Sequence, residues 1–131
     1  MAIRIKCIPV GPFQANCYIV SLEGEKQAVV IDCGGEAERI IEYLSQEGLE
    51  PCCLICTHGH VDHIAGNERL KEAFPAMKLM IHADDAQMLR RPMKNLSMFM
   101  GKLIKSPPAD KELQDGDVIE CAGLRMEVIH T

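Results

Sequence analysis

Residues 2–8, AIRIKCI, alternate apolar and polar side chains with period two, the spacing that gives a strand one buried face. Pro9, Gly11 and Pro12 interrupt the pattern, and extended character resumes over 16–20, NCYIV. A turn at Gly24 and Glu25 leads into 27–32, QAVVID, a more buried strand. Together these predict an antiparallel meander. A helical period then takes over. Ala37, Ile40, Ile41 and Leu44 fall at i, i+3, i+4 and i+7 within 36–47, between Gly34 with Gly35 at the start and Gly48 at the end. The apolar run 52–56, CCLIC, is the next strand, and a strand–helix–strand unit of this length implies a parallel pair. A second helix is predicted over 67–74, with Leu70 and Phe74 one turn apart and Pro75 closing it. A strand over 78–82 and a short helix over 83–90 follow.

The pattern is lost over 91–111, where Pro92, Pro107 and Pro108 predict irregular structure. Four of the eight methionines fall between Met88 and Met100, which reads as a loosely packed apolar cover; a mobile lid or partner surface is the sharper alternative. After a turn at Asp115 and Gly116, residues 117–121 and 124–129 form a hairpin about Ala122 and Gly123. No repeat, low-complexity tract or linker divides the chain, so 1–131 is expected to be a single α/β domain.

A chain of 131 residues can bury one core of its own but hardly two. An apolar fraction of 47% with 25% charged residues is that of a soluble globular protein rather than a disordered one. The net charge of −5 argues against a nucleic-acid partner, which calls for a basic surface. No apolar run approaches the length of a membrane span. The N-terminus also meets prolines too early for a signal peptide, so a reducing cytoplasm is expected, with the seven cysteines as free thiols. Cys53 and Cys56 form a CxxC, but no second such pair follows. On a strand, i and i+3 face opposite ways, so both read as packing residues.

The chemistry is concentrated in 57–66, THGHVDHIAG. His58 and His60 could not converge on a helix, where i and i+2 point roughly 200° apart. In a loop they can, and Gly59 permits the positive φ that convergence could demand. Asp62 and His63 follow at once. Loops leaving the C-terminal ends of strands are where open α/β sheets place ligands. Three imidazoles with a carboxylate are a donor set for zinc, and also for iron or manganese. Asp32, ending its strand, reads either as a turn residue or as a carboxylate that steadies a ligand histidine. His82 reads as a satisfied structural histidine. Gly34 and Gly35 lack the further glycines and lysine of a phosphate cradle.

The segment Thr57, His58, Gly59, His60, Val61, Asp62, His63 resembles the HxHxDH signature of the metallo-β-lactamase superfamily. GPFQANCY at 11–18, DCGG at 32–35, NLS at 95–97, LQDGD at 113–117 and EVIHT at 127–131 are similar to segments of small bacterial glyoxalase II-like hydrolases, so the likeness runs along nearly the whole chain. It implies an αββα sandwich with two metal ions at one edge of its sheets. His58, His60 and His130 would hold the first ion, and Asp62 and His63 would belong to the second. Asp32 would support them without ligating. Cys33 stands where such relatives commonly carry proline.

The resemblance further implies hydrolysis of a small-molecule thioester or ester, typically S-lactoylglutathione, by metal-activated water that Asp62 orients. The family pattern continues beyond Thr131, so much of the second half of the fold is expected to be missing. The chain alone is expected to be weakly active or inactive, with exposed apolar sheet favouring self-association. Two alternatives remain: a mononuclear-iron persulfide dioxygenase, and a non-enzymatic metal-binding fragment completed by another chain.

Overall fold

A computed structural model describes residues 2–91 and 106–130. Its strands are β1 (Ile3–Val10), β2 (Ala15–Leu22), β3 (Gln27–Ile31), β4 (Glu50–Cys56), β5 (Lys78–His82), β6 (Lys111–Leu113), β7 (Val118–Cys121) and β8 (Leu124–Glu127). The helices are α1 (Ala37–Gln46), α2 (Val61–Ile64) and α3 (Asn67–Ala73), and a 3₁₀ helix covers Ala83–Leu89. Strands β1 to β6 form one mixed sheet in sequence order, antiparallel through β3 and parallel from β3 to β6. β7 and β8 form a separate antiparallel hairpin. The meander, the parallel β3–β4 pair and the hairpin all match the sequence reading.

Alternation along the central strands sorts side chains to two faces. Val30, Leu54, Cys56, Leu79 and Ile81 pack on the side of α1, α2 and α3, with Ile40, Leu44, Ile64 and Leu70. Val29, Cys53, Ile55 and Met80 face the other way, toward Ala122, Leu124 and Met126 of the hairpin. Both faces are apolar because both are covered. Cys53 and Cys56 therefore lie in different clusters, as their spacing predicts. Coverage ends at the margin: Ile3 and Ile5 of edge strand β1 are 60% and 66% exposed.

Four expectations are corrected. β1 continues through Pro9 to Val10, because it is an edge strand and a missing amide donor costs least there. The single turn α2 was not foreseen, since four residues are too few to show a period. β6 begins at the last residue of the stretch expected to be irregular, and the sequence pattern gives no strand there because three residues likewise carry too little of it. Finally, not all thiols are free: Cys52 and Cys121 form a disulfide between β4 and the hairpin, leaving Cys7, Cys17, Cys33, Cys53 and Cys56 reduced. Residues 92–105, where most of the expected methionine-rich cover and the NLS segment fall, lie outside the described residues, as does Thr131.

Asp110 ties the approach to β6 onto β5. Its backbone N–H donates to Leu79 O at 2.7 Å, and its carboxylate accepts from Leu79 N–H and Lys71 Nζ, both at 2.8 Å. The Leu79 amide, then Lys71, hold the Asp110 carboxyl below its ordinary value. A lowered folded pKa stabilises above the unfolded value and ceases to do so as pH falls through the folded one. Asp110→Asn is expected to cost about 1 kcal/mol at neutral pH, discounted for solvent screening. Urea titrations should show that difference closing as pH drops below about 3.9.

Candidate metal centre

The parallel strands β3, β4 and β5 end along one rim of the sheet, and the candidate groups follow those ends. After β3, the chain turns at Asp32 with φ of +61°, a left-handed conformation uncommon outside glycine and tolerated best by Asn and Asp. The turn aims a nearly buried carboxylate across at β4. There Thr57 N–H donates to Oδ1 at 2.7 Å and Thr57 Oγ1 donates to Oδ2 at 2.5 Å. His63 Nδ1 lies 2.9 Å from the same Oδ2. An ionised carboxylate can only accept, so His63 donates from Nδ1 and turns Nε2 toward the rim as the atom available to a metal.

Helix α2 sets the remaining donors. Val61 and Ile64, three apart, are buried in the core, which turns Asp62 and His63 toward the rim. His58, Asp62 and His63 each offer one ligand atom, and these atoms lie within 4.8 Å of one another. The His58 and His63 ring centroids are 3.8 Å apart, and the His60 ring meets His58 edge-on at 5.1 Å. Burial, then the neighbouring His63, push the pKa of His58 below its ordinary value, which favours the neutral ring that binds metals. His63 Nε2 stands 3.2 Å from Asp62 Oδ2. A divalent ion bound to both atoms would span that separation. The donor set thus suits a divalent ion, with His58, Asp62 and His63 able to hold it and His60 beside them.

His130 stands apart from that trio. Its backbone N–H donates to Asp115 Oδ1 at 2.9 Å, its ring stacks on His82 at 3.8 Å, and its Nε2 is 3.3 Å from Asp84 Oδ2. It nevertheless lines, with His58, His82 and Asp85, a cavity of about 670 Å³ along the rim. His82 has a structural role, since its Nδ1 accepts from Asp84 N–H at 3.0 Å and caps the 3₁₀ helix.

Sequence reading missed the reasons for two glycines. Gly59 does not have a positive φ. It is glycine because a Cβ there would come within 2.4 Å of Met88 Cβ in the 3₁₀ helix. Asp85 of that helix accepts from Gly59 N–H at 3.2 Å, so it positions the histidine loop; nothing in the local sequence marks that role. Gly34 lies directly under α2, where a Cβ would come within 1.8 Å of Asp62 O. Gly35 instead lies against the backbone of Gly11.

A sequence model of the metallo-beta-lactamase superfamily matches residues 10–131. The chain belongs to that superfamily. Among its relatives is a hydroxyacylglutathione hydrolase of Haemophilus influenzae, 31% identical over 97% of this chain and 60% of its own length. Another is an Aquifex aeolicus protein without an assigned activity, 34% identical over 97% of this chain and 59% of its own. The crystal structure of the BLEG-1 B3 metallo-beta-lactamase superposes with a TM-score of 0.90 at 32% identity, covering 98% of this chain and 61% of that one. A second, crystallised in a di-iron-bound form, gives 0.74 at 27% identity over 88% and 60%. The metallo-beta-lactamase fold, and membership of a metal-binding hydrolase superfamily, are thereby established. This superfamily member spans about 60% of the length of the curated relatives it matches.

Two substitutions probe this construction. Asp32→Ala should weaken metal affinity about 10- to 100-fold in competition with a chromophoric chelator, because His63 loses its orienting partner. Gly34→Ala should lower both thermal stability and metal affinity, because α2 must move to admit the methyl group.

Proposed function

We propose that this chain carries the metal-binding half of a hydrolase acting on a small-molecule thioester or ester, a glutathione conjugate such as S-lactoylglutathione being the leading substrate class. The observation that carries the reading is the convergence of His58, Asp62 and His63 beside an open cavity at the ends of parallel strands. The relationship to the Haemophilus hydroxyacylglutathione hydrolase supports the substrate class. Zinc is the proposed ion, as one or two per chain, with iron or manganese as the alternatives for the same donors. His60 and His130 are proposed to complete the ligand set from either side of the trio, and a cytoplasmic setting is proposed with it.

When bound, a divalent ion at this site supplies a water of lowered pKa and polarises a carbonyl oxygen. The chain's own residues do the rest. Asp32 fixes the tautomer and orientation of His63, and Thr57 fixes Asp32. Asp62, partly exposed to the rim, orients the attacking water and takes its proton at Oδ1, the oxygen turned away from His63. The cavity wall formed by Leu113, Ile119 and Met126 offers apolar surface to the acyl group, while Asp85 holds the His58 loop in place.

The test is free-thiol release from S-lactoylglutathione by the zinc-loaded chain, with and without chelator. Slow, metal-dependent release is expected, falling a further 10²-fold or more on Asp62→Asn, about the scale of a lost general base. Turnover indifferent to chelator or to Asp62→Asn, or activity on β-lactams alone, would overturn the reading. Oxygen consumption with glutathione persulfide would instead indicate the iron-dependent dioxygenase.

A further inference from the structure

On the far face of the sheet from the helices, three cysteines meet. β3 and β4 pair Ala28 with Pro51 and then Val29 with Cys53, so Cys52 is an extra residue on β4. Such a bulge breaks the alternation of the strand, letting two consecutive side chains share a face. Cys52 and Cys53 both turn toward the hairpin and meet Cys121 at the end of β7. Cys52 and Cys121 are bonded, and the Cys53 Sγ is 2.9 Å from that of Cys121. All three sulfurs lie within 4.8 Å of one another. Cys53 is fully buried, whereas Cys52 and Cys121 border an open cavity of about 600 Å³ through which the cluster meets solvent.

We propose that these three cysteines form a second metal site, independent of the histidine centre, that takes a soft thiophilic ion of the Cu(I) class when the Cys52–Cys121 bond is reduced. Three sulfurs with no nitrogen or oxygen donor in the cluster select soft ions over the borderline and hard ones that the histidine and carboxylate set suits. The disulfide is the closed state. A dithiol reductant transfers two electrons and two protons to the Sγ–Sγ bond, giving two thiols and becoming a disulfide itself. Binding then forms three metal–sulfur bonds and releases one proton from each thiol.

The test is anaerobic titration of the 131-residue chain with Cu(I) against a competing chromophoric chelator, before and after dithiol reduction, with X-ray absorption of the loaded protein. Retention of one Cu(I) per reduced chain by three sulfur neighbours is expected. It should be lost when Cys52–Cys121 is intact and weakened about tenfold or more by Cys53→Ser. Cys121→Ser, at a less buried position, should weaken retention as much, so that misfolding of the first variant cannot decide the matter. Cys7→Ser, on the exposed face of β1, should leave it unchanged. Nitrogen neighbours around copper, equal retention by the oxidised chain, or loss that follows Cys33→Ser instead of Cys53→Ser would overturn the proposal.

Discussion

The carboxylate of Asp32 accepts from three groups on neighbouring elements: the amide and hydroxyl of Thr57 and the ring of His63. Almost everything at the rim depends on it. A nearly buried carboxylate is costly unless its lone pairs are filled, and here they are filled by the strand and helix that carry the candidate ligands. The end of β3, the end of β4 and the turn of α2 are thereby held as one unit. The positive φ at Asp32 is the backbone strain that this aim requires, and the hydrogen bonds offset it. Glycine at position 34 completes the arrangement by letting the β3 loop touch the backbone of Asp62.

Much of this was legible in the sequence. Strand periods over β1 to β5 and the helical stripe of α1 follow from repeated apolar positions, because each is long enough for burial to impose a pattern. The histidine cluster was legible for a different reason: three imidazoles and a carboxylate in six positions have few other uses. What could not be read depends on partners distant in the chain. Asp85 gains its role only because the 3₁₀ helix folds over Gly59. The pairing of Cys52 with Cys121 requires a bulge, which offsets the alternation by one residue and leaves no local mark. His130 follows the end of β8, where contacts with Asp115, His82 and Asp84 decide its direction.

The two faces of the sheet divide the chemistry. The helix face packs the larger core and brings Asp62 and His63 to the rim on α2, while the hairpin lines the rim cavity and meets the three sulfurs. Hard and soft donors are kept apart along the strands: imidazole and carboxylate beyond their C-terminal ends, sulfur near the start of β4. Under the two proposals, ions of different character would be discriminated by location as well as by ligand type.

The parallel pairing of β3, β4 and β5 also acts as a ruler. Hydrogen bonding holds adjacent strands about 4.8 Å apart whatever their side chains. Asp32 beyond the end of β3 and Thr57 beyond the end of β4 inherit that separation, which their hydrogen bonds span. The distance from Asp32 to the start of the histidine loop is thus set by the peptide backbone, and substitutions in the apolar layers beneath can change stability while leaving that span in place.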